Sequence, residues 1–147
     1  MDCISIHQPW AAWIALGWKT IETRTHDRFK GLVGERIAIH ATKKWDNHAN
    51  RESQRYRDEK GGCHNLSNKP YYQGFKGCIL CTAFVKEHRL LKTGDSVDAL
   101  IDCTYSHLYG LILEDIKPLT LPIPWKGHQG IFHVPDEMLL AGANPLT

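Results

Sequence analysis

Charge of one sign is what this 147-residue sequence most plainly lacks: 18 Lys and Arg stand against 16 Asp and Glu, a formal net charge of +2. Proteins that live on long nucleic acid neutralise several phosphates, often about 6 to 10, and tend to carry a basic stripe for it. No such stripe runs along this chain. It also lacks an even cysteine set. Five cysteines scattered through apolar runs fit reduced thiols better than a disulfide framework. No apolar run approaches the roughly 20 residues of a membrane-spanning helix, and no signal-peptide pattern opens the chain. Cytoplasmic localisation with no membrane partner is the resulting expectation. Repeats, linkers and low-complexity tracts are missing too. What remains is ordinary globular composition, 42% hydrophobic and 23% charged. A chain of this length can bury roughly 70% of its unfolded surface in one domain.

Along the chain, Cys3 to Ile6 reads as a first strand. Pro9 and Gly17 bracket a short helix whose apolar face is Trp10, Trp13, Ile14 and Leu16. After Gly17 the period changes. "KTIETR" alternates like a strand, with Thr20, Glu22 and Arg24 on one face, and Lys19 at the corner can swing its stem to the same side. Gly34 to Ala41 is a cleaner strand. Residues 46–75 look like a polar helix followed by a Gly-, Asn- and Ser-rich loop, an insert with a narrow stripe at Ala49 and Tyr56 that Trp45 begins. "GCILCTAFV" (77–85) and "LYGLIL" (108–113) are apolar on both faces, as strands of a closed or doubly covered sheet are. A last strand is expected around Ile131 to Val134. These elements predict one α+β domain over 1–147, built on a small β-barrel with flanking helices.

Three charges crowd into Lys19 to Arg24. By spacing alone they read as a structural ion network, or as a polar pocket for a small ligand. Gly17, Lys19, Glu22 and Arg24 make the pattern G-x-K-x-x-E-x-R, preceded by "QPW" at Gln8 to Trp10 and followed late by "KGHQG" at Lys126 to Gly130. Together, in this order, they closely resemble the ASCH domain family of the PUA-like superfamily over nearly the whole chain outside the 46–75 insert. The resemblance implies a PUA-like barrel with a cleft lined by that pattern, and RNA or nucleotide as ligand. Some bacterial relatives hydrolyse the amide of N4-acetylcytidine with a similar pattern, G-x-K-x-x-T-x-R, whose lysine and threonine are catalytic together with a later glutamate. Lys19 and Arg24 match that pattern. Glu22 stands where the threonine would be, which leaves the nucleophile open.

Amide hydrolysis needs a nucleophile, a stabilised oxyanion and a proton for the leaving nitrogen. A water activated by Glu22, with Lys19 donating to the oxyanion and Arg24 holding Glu22 ionised, meets that need without a metal or cofactor. Thr20 is a second candidate nucleophile, with Lys19 or Glu22 as its base. Gln8, Trp10, His40, Lys126, Gly127 and Gln129 are candidate substrate-binding residues: Trp10, like Tyr71, Tyr72 and Trp125, can stack on a base, and the glycines of "KGHQG" allow close backbone approach. The same aromatics serve equally as core, and His40 as a buried, hydrogen-bonded histidine. Cys78 and Cys81 form a C-x-x-C that Cys63 and His64 could extend to a zinc set. On a regular strand, however, the pair points to opposite faces, which favours core thiols. The resemblance, with the modest net charge, implies a metal-free amidohydrolase of N4-acylated cytosine nucleosides, with a small nucleoside as partner. An RNA- or modified-base-binding module, or a ribonuclease, using the same cleft is the alternative.

Overall fold

The computed structural model describes residues 1–61, 71–105 and 107–143. In chain order the elements are β1 (Asp2–Gln8), α1 (Trp10–Ala15), β2 (Ile21–Arg24), β3 (Arg36–Trp45), α2 (Ala49–Glu59), β4 (Cys78–Leu90), α3 (Ser96–Ala99), β5 (Tyr109–Pro124), β6 (Phe132–His133) and α4 (Asp136–Ala143). The six strands form one mixed sheet in the order β2-β5-β4-β3-β1-β6. Only β1 and β3 run parallel, in register from Cys3 opposite Ala38 to Ile6 opposite Ala41.

Backbone pairing does not close this sheet into a barrel: the strand order has two ends, β2 and β6. Yet β2 returns to β1. Arg24 Nη2 on β2 donates to the Ser5 carbonyl on β1 at 2.9 Å, although three strands lie between them in the sheet. The curl that this requires comes from long strands with bulges. β4 and β5 are 13 and 16 residues long, and their register shifts at three places along the shared ladder, each a site of bending and extra twist. β6 covers β1 only at Asp2 and Cys3. From Ser5 onward β1 therefore presents an edge without a strand partner on that side among the described residues, and the gap between it and β2 is spanned by side chains.

Core packing explains why these runs become strands. Ile4, Ile6, Ile37, Ile39, Leu80, Ala83, Val85 and Leu111 are buried in one cluster with Ala11, Ala12 and Ile14 of α1. Helix α1 is six residues long and is held by that burial. Gly17, at φ +80, ends it in the left-handed conformation glycine adopts without penalty. Cys78 and Cys81 depart from the expected opposite faces. A register shift between Ile79 and Cys81 changes the parity of β4, so both thiols enter the main core cluster. Burial pushes both of their pKa values up, which keeps them protonated. Cys63 and His64 lie outside the described residues. Among those described, no three His, Cys, Asp or Glu side chains gather as a metal site, and no helix is long and apolar enough to cross a membrane.

The expected boundaries shift where packing overrides pattern. The strand expected from Lys19 begins at Ile21, because Lys19 N–H bonds back to the Trp13 carbonyl and Thr20 N–H to Asp98. Trp45 closes β3 instead of starting the insert helix, whose buried stripe is Ala49, Ser53 and Tyr56. That helix packs on Trp13, Trp18 and Leu100. "PLTLPIP" (118–124) belongs to the far half of β5 and not to a loose tail.

Candidate functional site

The gap between β1 and β2 is a cavity of about 260 Å³. Trp10, Lys19, Glu22 and Arg24 line it together with Ser5, His7, Asp46, Glu52 and Ile101. The αL turn at Gly17 aims the chain so that Lys19 is 1% exposed and reaches Ala99 O at 2.6 Å. Its Nζ lies 3.8 Å from Glu22 Oε1 and 5.0 Å from the centroid of Trp10. Glu22 is in turn 3.2 Å from Arg24 Nη2 through Oε2 and accepts from the Thr23 N–H through Oε1. The carboxylate thus sits between two cations, and the same guanidinium nitrogen that touches it also holds β1 at Ser5. Arg24 Nε is buried with no acceptor among the described residues. Burial brings the Lys19 pKa down to about 8, against the opposing pull of Glu22. An ammonium so placed exchanges its proton near neutrality, unlike an ordinary lysine. Trp10 is fixed by its Nε1–H donating to Asp46 Oδ2 at 2.8 Å, a bond that also holds the Asp46 carboxyl below its usual range.

Through Ser5, His7 and Arg24 this cavity adjoins a trough of about 1410 Å³. Arg24, Arg28, Lys43, Lys76 and Lys126 line the trough with four histidines, and no Asp or Glu lines it among the described residues. The basic surface that linear charge does not show is therefore present in three dimensions. It is assembled from the far half of β3, the turn before β4, the end of β2 with the segment after it, and the "KGHQG" turn. The near-neutral total arises because the acidic residues lie elsewhere.

The remaining candidates divide. His40, Lys126, Gly127 and Gln129 line the trough, as does Trp125. His40 is 2% exposed, its Nε2 2.7 Å from Trp125 O and its Nδ1 3.0 Å from Ser5 Oγ, and burial lowers its pKa. Gly127 has to be glycine, since a Cβ there would stand 2.5 Å from His40 Cε1 and 2.9 Å from Ser5 Oγ. Gln8 turns out to be scaffold. It is wholly buried, its amide donating to Tyr72 O and Phe75 O and accepting from Ala12 N–H, so its nitrogen and its oxygen together tie α1 to the turn before β4. Thr20 lines neither cavity. It lies ahead of β2, held by backbone bonds to Asp98 and Leu113, and alternation with Glu22 does not bring it into the cavity that Glu22 lines. Tyr71 and Tyr72 donate their hydroxyls to Thr120 O and Leu119 O on β5 and line neither cavity. Sequence reasoning missed Ser5, His7, Arg28, Lys43, Lys76, Asp46 and Glu52. The last two come from the insert region, which walls one side of the smaller cavity.

Comparison with known proteins agrees with the fold. The ASCH domain family model matches residues 4–120. The chain belongs to the ASCH domain family. Among solved structures, this ASCH-domain chain is similar to ASCH from Zymomonas mobilis, with a TM-score of 0.56 at 14% identity over 95% of this chain and 90% of that one. A Ser-to-Ala variant of that protein gives 0.55 at 15% identity over 95% and 91%, and a Tyr-to-Phe variant gives 0.56 at 14% over 95% and 93%. At such identities the likeness is one of fold, the PUA-like α+β fold. No curated protein matches the chain.

Proposed function

We propose that this ASCH domain binds single-stranded RNA and takes one splayed-out base into the cavity between β1 and β2. The observation that carries this reading is the adjacency of two unlike spaces. One is a small hollow with an aromatic wall and fixed charges; the other is a basic trough beside it, lined by no Asp or Glu among the described residues. RNA read in sequence presents unstacked bases and a phosphate backbone together. The hollow is smaller than the roughly 300–1,000 Å³ of drug-sized pockets, a scale suited to a ring and not to a polymer. Trp10 offers the ring a face, worth about 1–3 kcal/mol per stacked base. Glu22, Asp46 and Glu52 offer acceptors to an exocyclic amine. Arg28, Lys43, Lys76 and Lys126 take phosphates. Titration of labelled single-stranded RNA against salt tests the reading: affinity should fall steeply as salt rises, and a flat titration at low salt removes it.

A second reading, hydrolysis of an N4-acyl group on a bound cytosine, is favoured by the Lys19–Glu22 pair. A lysine with its pKa near 8 donates to an oxyanion more readily than an ordinary one. Glu22 is placed to accept a proton and return it to the leaving amine. Release of cytidine from N4-acetylcytidine, alone or within an oligonucleotide, tests it. The trough favours the oligonucleotide, so full activity on the free nucleoside with no gain on RNA would argue against a strand in the trough. Formation of shortened RNA without added metal would point to a ribonuclease instead.

A further inference from the structure

The hydrolytic reading leaves its nucleophile open, with Glu22 standing where a hydroxyl residue was expected and Thr20 outside both cavities. We propose that Ser5 is that nucleophile, that His40 takes the place of Glu22 as the general base and acid, and that acyl transfer in this protein passes through an acyl-serine. The proposal rests on the hydrolytic reading for its substrate, but its chemistry can be tested apart from it.

The geometry is that of an oriented nucleophile–base pair. Ser5 and His40 are register partners on parallel strands β1 and β3, so their side chains share a face. A backbone carbonyl can only accept. The 2.7 Å contact of His40 Nε2 with Trp125 O therefore puts the ring proton on Nε2. Nδ1 is left as a lone-pair acceptor, 3.0 Å from Ser5 Oγ, and the serine hydroxyl donates to it. Trp125 O orients the imidazole as the third member of a nucleophile–base–orienter arrangement. Two features argue against a merely structural bond. Ser5 lies on the wall common to both cavities, where a bound base and its strand would meet. A glycine at 127 is also required for the chain to pass this closely over the pair. Arg24 Nη2 spans the Ser5 carbonyl and Glu22, placing a cation beside the serine.

The steps balance. Ser5 Oγ attacks the acyl carbonyl carbon, its proton passing to His40 Nδ1 and the carbonyl electron pair to the oxygen. The oxyanion collapses, the C–N bond breaks, and the leaving amine takes the proton from His40. Water then attacks the Ser5 ester, gives a proton to His40, and releases the carboxylic acid as Oγ recovers the proton. Protonation of His40 is opposed by burial and by His128. The neutral base is therefore the resting form through neutral pH.

The test is p-nitrophenyl acetate with the whole protein, read by intact mass and peptide mapping, with N4-acetylcytidine turnover measured in parallel. An acetyl group on Ser5, lost in Ser5→Ala and at least tenfold slower to form in His40→Gln, is the expected result. Should His40→Gln not fold, the pH dependence in the wild type replaces it. Acylation by the pair stops rising above neutrality, whereas an unassisted hydroxyl speeds up about tenfold per pH unit through pH 9. That continued rise, absence of a Ser5 adduct, or an equal adduct in folded His40→Gln would overturn the assignment. Turnover of N4-acetylcytidine by Ser5→Ala at the wild-type rate would also overturn it while sparing the hydrolytic reading. A Ser5 adduct without N4-acetylcytidine turnover supports the pair and removes that substrate.

Discussion

The small cavity and the trough differ in how their charges are kept. In the cavity, Lys19 and Glu22 are buried and each charge has a partner within about one side chain's length, Glu22 between Lys19 and Arg24. In the trough, Lys43, Lys76, Arg28 and Lys126 are exposed, and none of them is ion-paired among the described residues. The first arrangement stabilises itself only while complete; the second is left unsatisfied, ready for a polyanion. Substitutions in the two regions should therefore fail in different ways.

The largest effect is expected from Glu22→Ala. Removing one member of a buried ion network typically costs about 3–5 kcal/mol, which for a domain of this size lowers the melting temperature by roughly 10 °C. Calorimetry would measure it, and a shift under a degree would mean that the cavity charges are solvated. Next, Lys19→Met should lower amide turnover by about 10²–10³, the usual cost of one oxyanion donor, while RNA affinity stays within a few-fold. Loss of both together would erase the distinction between the regions. The triple variant Lys43→Glu, Lys76→Glu, Lys126→Glu should show the mirror image: unchanged melting behaviour, weaker RNA binding, and a salt slope shallower by about 2, near 0.7 per lost phosphate contact.

The smallest effect is a pH dependence. The pKa of Lys19 is near 8 folded and near 10.5 unfolded. Between those values the unfolded chain holds more protons at this site, so stability from this group rises with pH and levels off near 10.5. Comparing urea midpoints of the wild type and Lys19→Met at pH 7.5 and 9.5 should show the rise only in the wild type. Turnover that needs the ammonium should run the other way, falling as pH passes about 8.

Much of this was readable in the chain. The turn at Gly17, the strand after it and the convergence of positions 19, 22 and 24 follow from local spacing, because residues within a few positions of one another are placed by a single turn and a single strand. Gln8 and Thr20 show where such reading ends. Gln8 stands in a conspicuous motif, yet its amide is spent on carbonyls more than 60 residues away. Thr20 lies in the right alternation but is captured by Asp98 before the strand begins. Cys78 and Cys81 are core thiols as expected, but the opposite faces assumed for them do not hold, since a bulge in β4 changes the parity.

The sequence by itself determined the ion triad, the short helix before it and the membership of a PUA-like family, because these depend on near neighbours in an ordered pattern. Only the tertiary structure decided that Ser5 meets His40 and that five basic residues with balanced totals elsewhere gather around one trough. Both depend on which strands lie side by side in a curled sheet, a long-range choice made by the burial of the whole core.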